Sequence, residues 1–219
     1  MDAISPLLIA GLTGFLSGFL LSIPVGPINL TIINEGARRG LMWALMIGMG
    51  AVAMEVLYCF LAFTGFASFF QAGWIKVAME LATFVFLTYL GLKFLLVSSI
   101  PTEKKMERKI EERLHPHSAF MIGFVRVMGN LGVFLFWIFL ATQFHNHGLV
   151  QSTWLSRLCC VGGVALGTSL FFFSLSYLVS FGHKKFTEKT LIRMERFSGV
   201  CLLIWAGIQG AFMVYKWVR

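Results

Sequence analysis

The stretch SIPVGPINL, residues 22–30, sets Pro24, Gly26 and Pro27 inside a long apolar run. A proline has no backbone N–H and its ring collides with the preceding turn, so a helix that reaches this stretch is interrupted. In hydrocarbon, the backbone groups freed by such a break are tolerated only where protein or a water-filled cavity covers them. A single proline kink can serve packing alone. Two prolines flanking a glycine, with the amide of Asn29 directly after them, read instead as a built interruption beside a cavity. That reading holds only if the run around the stretch lies in a membrane.

The remaining sequence says that it does. Of 219 residues, 58% are hydrophobic and only 13% charged, against roughly 25% charged in an ordinary soluble chain. The mean hydropathy is +0.80. Apolar runs at about 6–34, 41–70, 74–97, 118–144, 153–181 and 191–217 predict six transmembrane helices, each near the ~20 residues that a bilayer core requires. The expected fold class is an all-α membrane protein with one transporter domain over 1–219 and no separate soluble domain. The amino terminus, MDAISPLLIA, has no Lys or Arg where a signal peptide carries its positive region, so the first segment is expected to stay in the mature chain.

The net charge of +8 does not mark a nucleic-acid binder, because the basic residues sit in short loops and form no aromatic-laced face. They act as topology signals. Loops after runs 1, 3 and 5 hold thirteen Lys and Arg, from Arg38 to Arg196, while the other side holds four: Lys76, Arg157, Lys216 and Arg219. The positive-inside rule then sets both termini outside a plasma (inner) membrane. The longest loop, PTEKKMERKIEERLHPH over 101–117, has Met106, Ile110 and Leu114 at i, i+4 spacing and reads as a solvated connector or a short interfacial helix.

Small residues recur every four positions at Gly14, Gly18, Ser22 and Gly26, at Gly36, Gly40, Ala44 and Gly48, and at Gly163 and Gly167. Such stripes let membrane helices approach closely, within one chain or in a homo-oligomer. GFLLSIPVGP (18–27) and GFVRVMGNLG (123–132) both run from Gly-Phe to a Gly, Pro or Asn cluster, and Gly50 and Glu55 have Gly163 and Thr168 as counterparts about 110 residues on. A three-span unit repeated once must invert in the membrane. This predicts repeat 1 over about 6–97, a cytoplasmic loop over 98–117 and repeat 2 over about 118–217.

Glu55 falls near the middle of the second span, where a charge costs about 2.5–3.5 kcal/mol on insertion scales and an acid therefore faces a cavity or a partner. There it can hold a proton or meet a cationic group, with Arg126 of the fourth span as a structural alternative. Tyr58, one turn on, is placed to orient it. Asn130, in the second Gly/Asn cluster, both donates and accepts hydrogen bonds. Two facing helix breaks supply half-helix ends and free carbonyls, a geometry that binds ions and polar solutes. The histidines at 115, 117, 145 and 147 fall on opposite sides of the membrane and cannot make one four-ligand metal site. Cys59, Cys159, Cys160 and Cys201 lie in apolar segments without CxxC spacing and read as small buried hydrophobes.

With these residues in view, the chain resembles the lysine exporter (LysE) family of six-span exporters. The resemblance rests on PVGPINLTIINEGARRGLMWALMIGMGAVAMEVLY (24–58) and AFMIGFVRVMGNLGVFLFW (119–137). It implies export of amino acids or related small solutes, with Pro24, Gly26 and Pro27 as the signature break, Glu55 at a position usually held by Asp, and Asn130 as the Asn of an Asn-Pro element. The chain departs from that pattern at Val25, at Met54 and at Leu131, where a proline is the rule. The substrate-binding set expected is Pro24, Gly26, Pro27, Asn29, Glu55, Tyr58, Asn130 and Thr168. The expected partners are a small-molecule substrate, an amino acid or similar solute, and the surrounding lipid bilayer, with no cofactor, resident metal or nucleic acid. A metal-cation exporter is the alternative within transport. A membrane thiol-disulfide electron carrier, using Cys59 with Cys159 or Cys160, is the alternative outside it.

Overall fold

The computed structural model describes residues 4–66, 73–96, 118–181 and 188–218. Those residues are helical almost throughout, and the breaks fall where the sequence chemistry puts them. Helix α1, Ile4–Ser22, ends two residues before Pro24. Helix α2, Pro27–Arg39, begins with Pro27 at its first position, where the missing N–H removes nothing that the helix would have used. The run predicted as one span over 6–34 is therefore two helices. Gly40 then turns the chain at φ +87°, a left-handed conformation that suits glycine, into α3, Leu41–Leu61. A π-helical turn over Ala62–Phe66 extends it.

Helix α4 is Gly73–Leu95. Helix α5, Ala119–Met128, starts on Ser118, whose hydroxyl accepts the Met121 N–H at 3.2 Å, and α6, Leu131–Asn146, follows after the two-residue break at Gly129 and Asn130. Helices α7, Trp154–Phe181, and α8, Glu188–Val218, complete the chain. The predicted loop helix at 101–117 lies outside the described residues.

Among the described residues, four stretches are long and apolar enough to cross a membrane: Ser5–Ser22, Leu41–Thr64, Trp154–Phe181 and Lys189–Tyr215. The α5/α6 pair, bent by 65°, makes a fifth as a broken span. At 1.5 Å per residue α1 alone covers about 28 Å, so its break comes toward the end of a full crossing. The break in α5/α6 comes ten residues in.

The helices pair crosswise between the two halves of the chain. Helix α1 packs on α7, α5 packs on α3, α4 packs on α8, and α3 meets α7 in the centre. Lipid tails are as apolar as the helices themselves, so close approach and van der Waals packing hold such a bundle. Glycines make that approach possible. A Cβ at Gly14 would strike the Cys160 carbonyl, and Cβ atoms at Gly163 and Gly167 would strike the carbonyls of Gly11 and Phe15. On the other seam a Cβ at Gly50 would strike the Phe120 carbonyl and one at Gly123 the Ile47 carbonyl. Leucines such as Leu8, Leu12 and Leu166 stand exposed on the outer surface, where lipid covers them.

Candidate functional site

The break at 23–26 satisfies much of its own backbone. The Asn29 side-chain amide donates to the carbonyls of Ser22 (2.9 Å) and Pro24 (2.7 Å), which α1 leaves free at its end. The Ile23 N–H donates to the Leu20 carbonyl and the Gly26 N–H to the Pro24 carbonyl. The Val25 N–H donates to the carboxylate of Glu195 on α8. Since Pro24 and Pro27 have no N–H, every donor within the break is engaged. The donors that remain are those of the first turn of α2, at Ile28 and Asn29, which precede the first helical bond from Leu30 N–H to the Gly26 carbonyl. Asn29 is buried with its Oδ1 unmatched. Its amide group works as a brace for the break.

Glu55 is buried in the α3/α7 seam. The hydroxyl facing its carboxyl is that of Thr168, and the two stand just outside ordinary hydrogen-bond geometry. Gly18 of α1 closes the third side: a Cβ there would sit 2.9 Å from Thr168 Oγ1. Two residues expected to share the site from their repeat-related positions thus meet face to face. Tyr58 packs its ring on Phe134, with centroids 4.9 Å apart, and donates its hydroxyl to the Met128 carbonyl at 2.7 Å. That carbonyl is freed where α5 stops. Tyr58 therefore braces the second break much as Asn29 braces the first. Asn130 caps α6 with φ −93° and ψ 79°, without a side-chain cap bond.

The predicted residues thus form two groups. Glu55 and Thr168 face each other beside Gly18, and Tyr58, one turn along α3 from Glu55, reaches the α5/α6 break. Pro24 and Asn29 belong to the α1/α2 break. Gly26, at φ −89° with nothing within 4 Å of its Cβ position, borders open space.

Sequence reasoning missed Glu195. It is 4% exposed, holds the Val25 N–H, and lies within the field of Lys93 on α4. It sits between Arg193 and Arg196 near the start of α8. The signal available was its spacing: Glu195 falls on the same side of α8 as Ser198 and Leu202, the stripe that faces inward. Cys59 and Cys160 are free thiols within electrostatic reach of each other across the same α3/α7 seam.

Beside the first break lies a cavity of about 300 Å³ between α1, α4, α6 and α8. Pro24 and Ser198 bound one end, and Leu20, Phe136, Leu140 and Leu202 are among its apolar walls. Its size is at the lower limit of small-molecule sites, which run from about 300 to 1,000 Å³.

Comparison with known proteins agrees with this architecture. Residues 19–209 match the family model described as LysE type translocator. A protein of Bacillus subtilis (strain 168) named "Putative amino acid efflux protein YcgF" is 27% identical over 201 residues, covering 88% of this chain and 92% of that protein. No solved structure matches. A family match across residues 19–209, on apolar helices crossed by two braced breaks, makes this chain a multi-pass membrane protein that belongs to the LysE type translocator family.

Proposed function

We propose that this protein is a secondary transporter that exports small amino acids or related solutes across the plasma membrane, coupled to protons. The observation that carries the reading is the Glu55–Thr168 contact: a carboxyl with a hydroxyl facing it, buried between the two halves and not closed into an ordinary hydrogen bond. A carboxyl held so in the bundle binds a proton or an amino group in preference to standing charged and alone. Tyr58, one turn along α3 from Glu55, holds the Met128 carbonyl of the broken span, so that a shift of α3 on filling or emptying the site is passed to the break.

The working architecture is six spans, with α4 as the sixth, in two inverted three-span repeats and both termini outside. The crosswise pairing supports it. First helix on second helix of the other half occurs twice, α1 on α7 and α5 on α3, with third on third in α4 on α8. The helix of 23 residues at α4 is about 34 Å long at 1.5 Å per residue, enough to cross. Relative motion of the two repeats around a fixed site is how such folds alternate access. The name carried by the 27% identical relative supports amino acids as the solute class.

Efflux of labelled amino acids from preloaded vesicles, with an imposed pH gradient, tests this. Wild type is expected to accelerate with the gradient, and Glu55→Gln to lose that acceleration. Unchanged transport and unchanged pH dependence in Glu55→Gln would remove Glu55 from the mechanism.

A further inference from the structure

We propose that Arg157 is the latch of the α3/α7 seam, a positioning residue for transport whose hydrogen bond to the Phe63 carbonyl breaks each time Glu55 is reached from that end. The inference rests on the reading of Glu55 and Thr168 as the transport contact and specifies what closes it.

Three observations converge. Arg157, one turn into α7, donates from Nη1 to the Phe63 carbonyl at 3.1 Å. The bond ties the two halves of the chain together at the π-helical turn that extends α3, a distortion found often at working sites. Three residues before each partner, the Phe60 and Trp154 rings meet edge to face with centroids 5.8 Å apart. Two contacts therefore close the same end of the seam. At the opposite end Phe172 and Val179 of α7 fill against Gly48 and Gly36, in van der Waals packing.

The second observation is position. Glu55 lies eight residues before Phe63 on α3, about 12 Å along the helix, and Thr168 eleven residues after Arg157 on α7, about 16 Å. The latch thus stands over the buried carboxyl, on the side that the proposed orientation makes external. The third is the chemistry of the bond. Among the described residues no carboxylate pairs with Arg157, and the guanidinium is half-buried. A guanidinium on a neutral carbonyl is a weaker tie than a bidentate carboxylate pair. It holds the seam closed and can be released in every cycle.

Cys59 reports on the latch, because it is buried on α3 one turn from Glu55 and one turn from Phe63. With Cys159, Cys160 and Cys201 replaced by alanine, a charged methanethiosulfonate in detergent is expected to label Cys59 at least tenfold faster in Arg157→Met than with Arg157 intact. Arg157→Lys, which can still donate to the carbonyl, is expected to return most of the protection. Bridging is the second arm. In a chain with all four native cysteines replaced by alanine, Phe60→Cys with Trp154→Cys is joined by a reducible bis-methanethiosulfonate. Efflux of labelled amino acids from vesicles is expected to stop as the bridge forms and to return on reduction.

A static helix cap gives the opposite results. Efflux at the unbridged rate through a complete bridge, or equal Cys59 labelling with and without Arg157, would overturn the latch and leave amino-acid export standing. An intact chain that moves no amino acid, yet whose Cys59 labels tenfold faster in Arg157→Met, would overturn the export reading and keep the latch.

Discussion

At the scale of single residues, polar side chains in this bundle divide into braces and the buried Glu55–Thr168 contact proposed to take the proton, and substitution separates them. Asn29 and Tyr58 satisfy helix-end carbonyls. A buried carbonyl deprived of its donor costs about 1–3 kcal/mol. Tyr58→Phe is therefore expected to lower thermal stability in detergent by an amount in that range, and Asn29→Leu by more, because two carbonyls lose their partner together. Glu55 satisfies no helix-end carbonyl, and Glu55→Gln, nearly the same shape, is expected to lose less stability than either brace variant while coupled efflux falls. Denaturation in detergent read beside vesicle transport distinguishes the two classes. Equal stability losses in Glu55→Gln and Tyr58→Phe would make Glu55 another structural residue.

At the scale of elements, glycines fix which helices touch. Gly14 and Gly123 hold equivalent jobs on the two outer seams, each with its missing Cβ against a backbone carbonyl of the other half. A backbone atom cannot swing aside as a flexible side chain can. Gly14→Leu and Gly123→Leu are expected to force α1 from α7 and α5 from α3, reducing folded yield severely by size-exclusion profile. Gly26 gives the opposite result. Its φ is negative and its Cβ position is open, so Gly26→Ala is expected to fold with wild-type stability. A transport defect in that folded variant would report that the open space is used by the solute.

At the scale of the whole molecule, the crosswise pairing means that neither half buries its glycine faces alone. Residues 1–105 and 106–219, cut between α4 and α5, are expected to be degraded when expressed singly and to recover efflux when expressed together. Stable accumulation of one half by itself would contradict the interlocked arrangement. On the proposed orientation, tags at both termini are expected to be reached by an impermeant reagent from outside, and a tag inserted between α4 and α5 only after permeabilisation.

How much of this the sequence carried follows from what is local. Composition and run length determined that the chain is a helical membrane protein. The break at Pro24, Gly26 and Pro27 was legible because proline removes a donor wherever it stands, and the second break because Gly129 and Asn130 are poor helix formers in an apolar run. Glu55 stood out because hydrocarbon makes any carboxyl costly. What these groups touch was decided only by the tertiary structure. Asn29 and Tyr58 have the chemistry of ligands, and the fold spends it on helix-end carbonyls 5 to 70 residues away. Glu195 stands beside two arginines in the sequence, and only the packing of α8 lays it against the Val25 N–H. Sequence determines which groups need partners, since that need is a property of the residue and its solvent. The packing of one half of the chain against the other determines which partners they find.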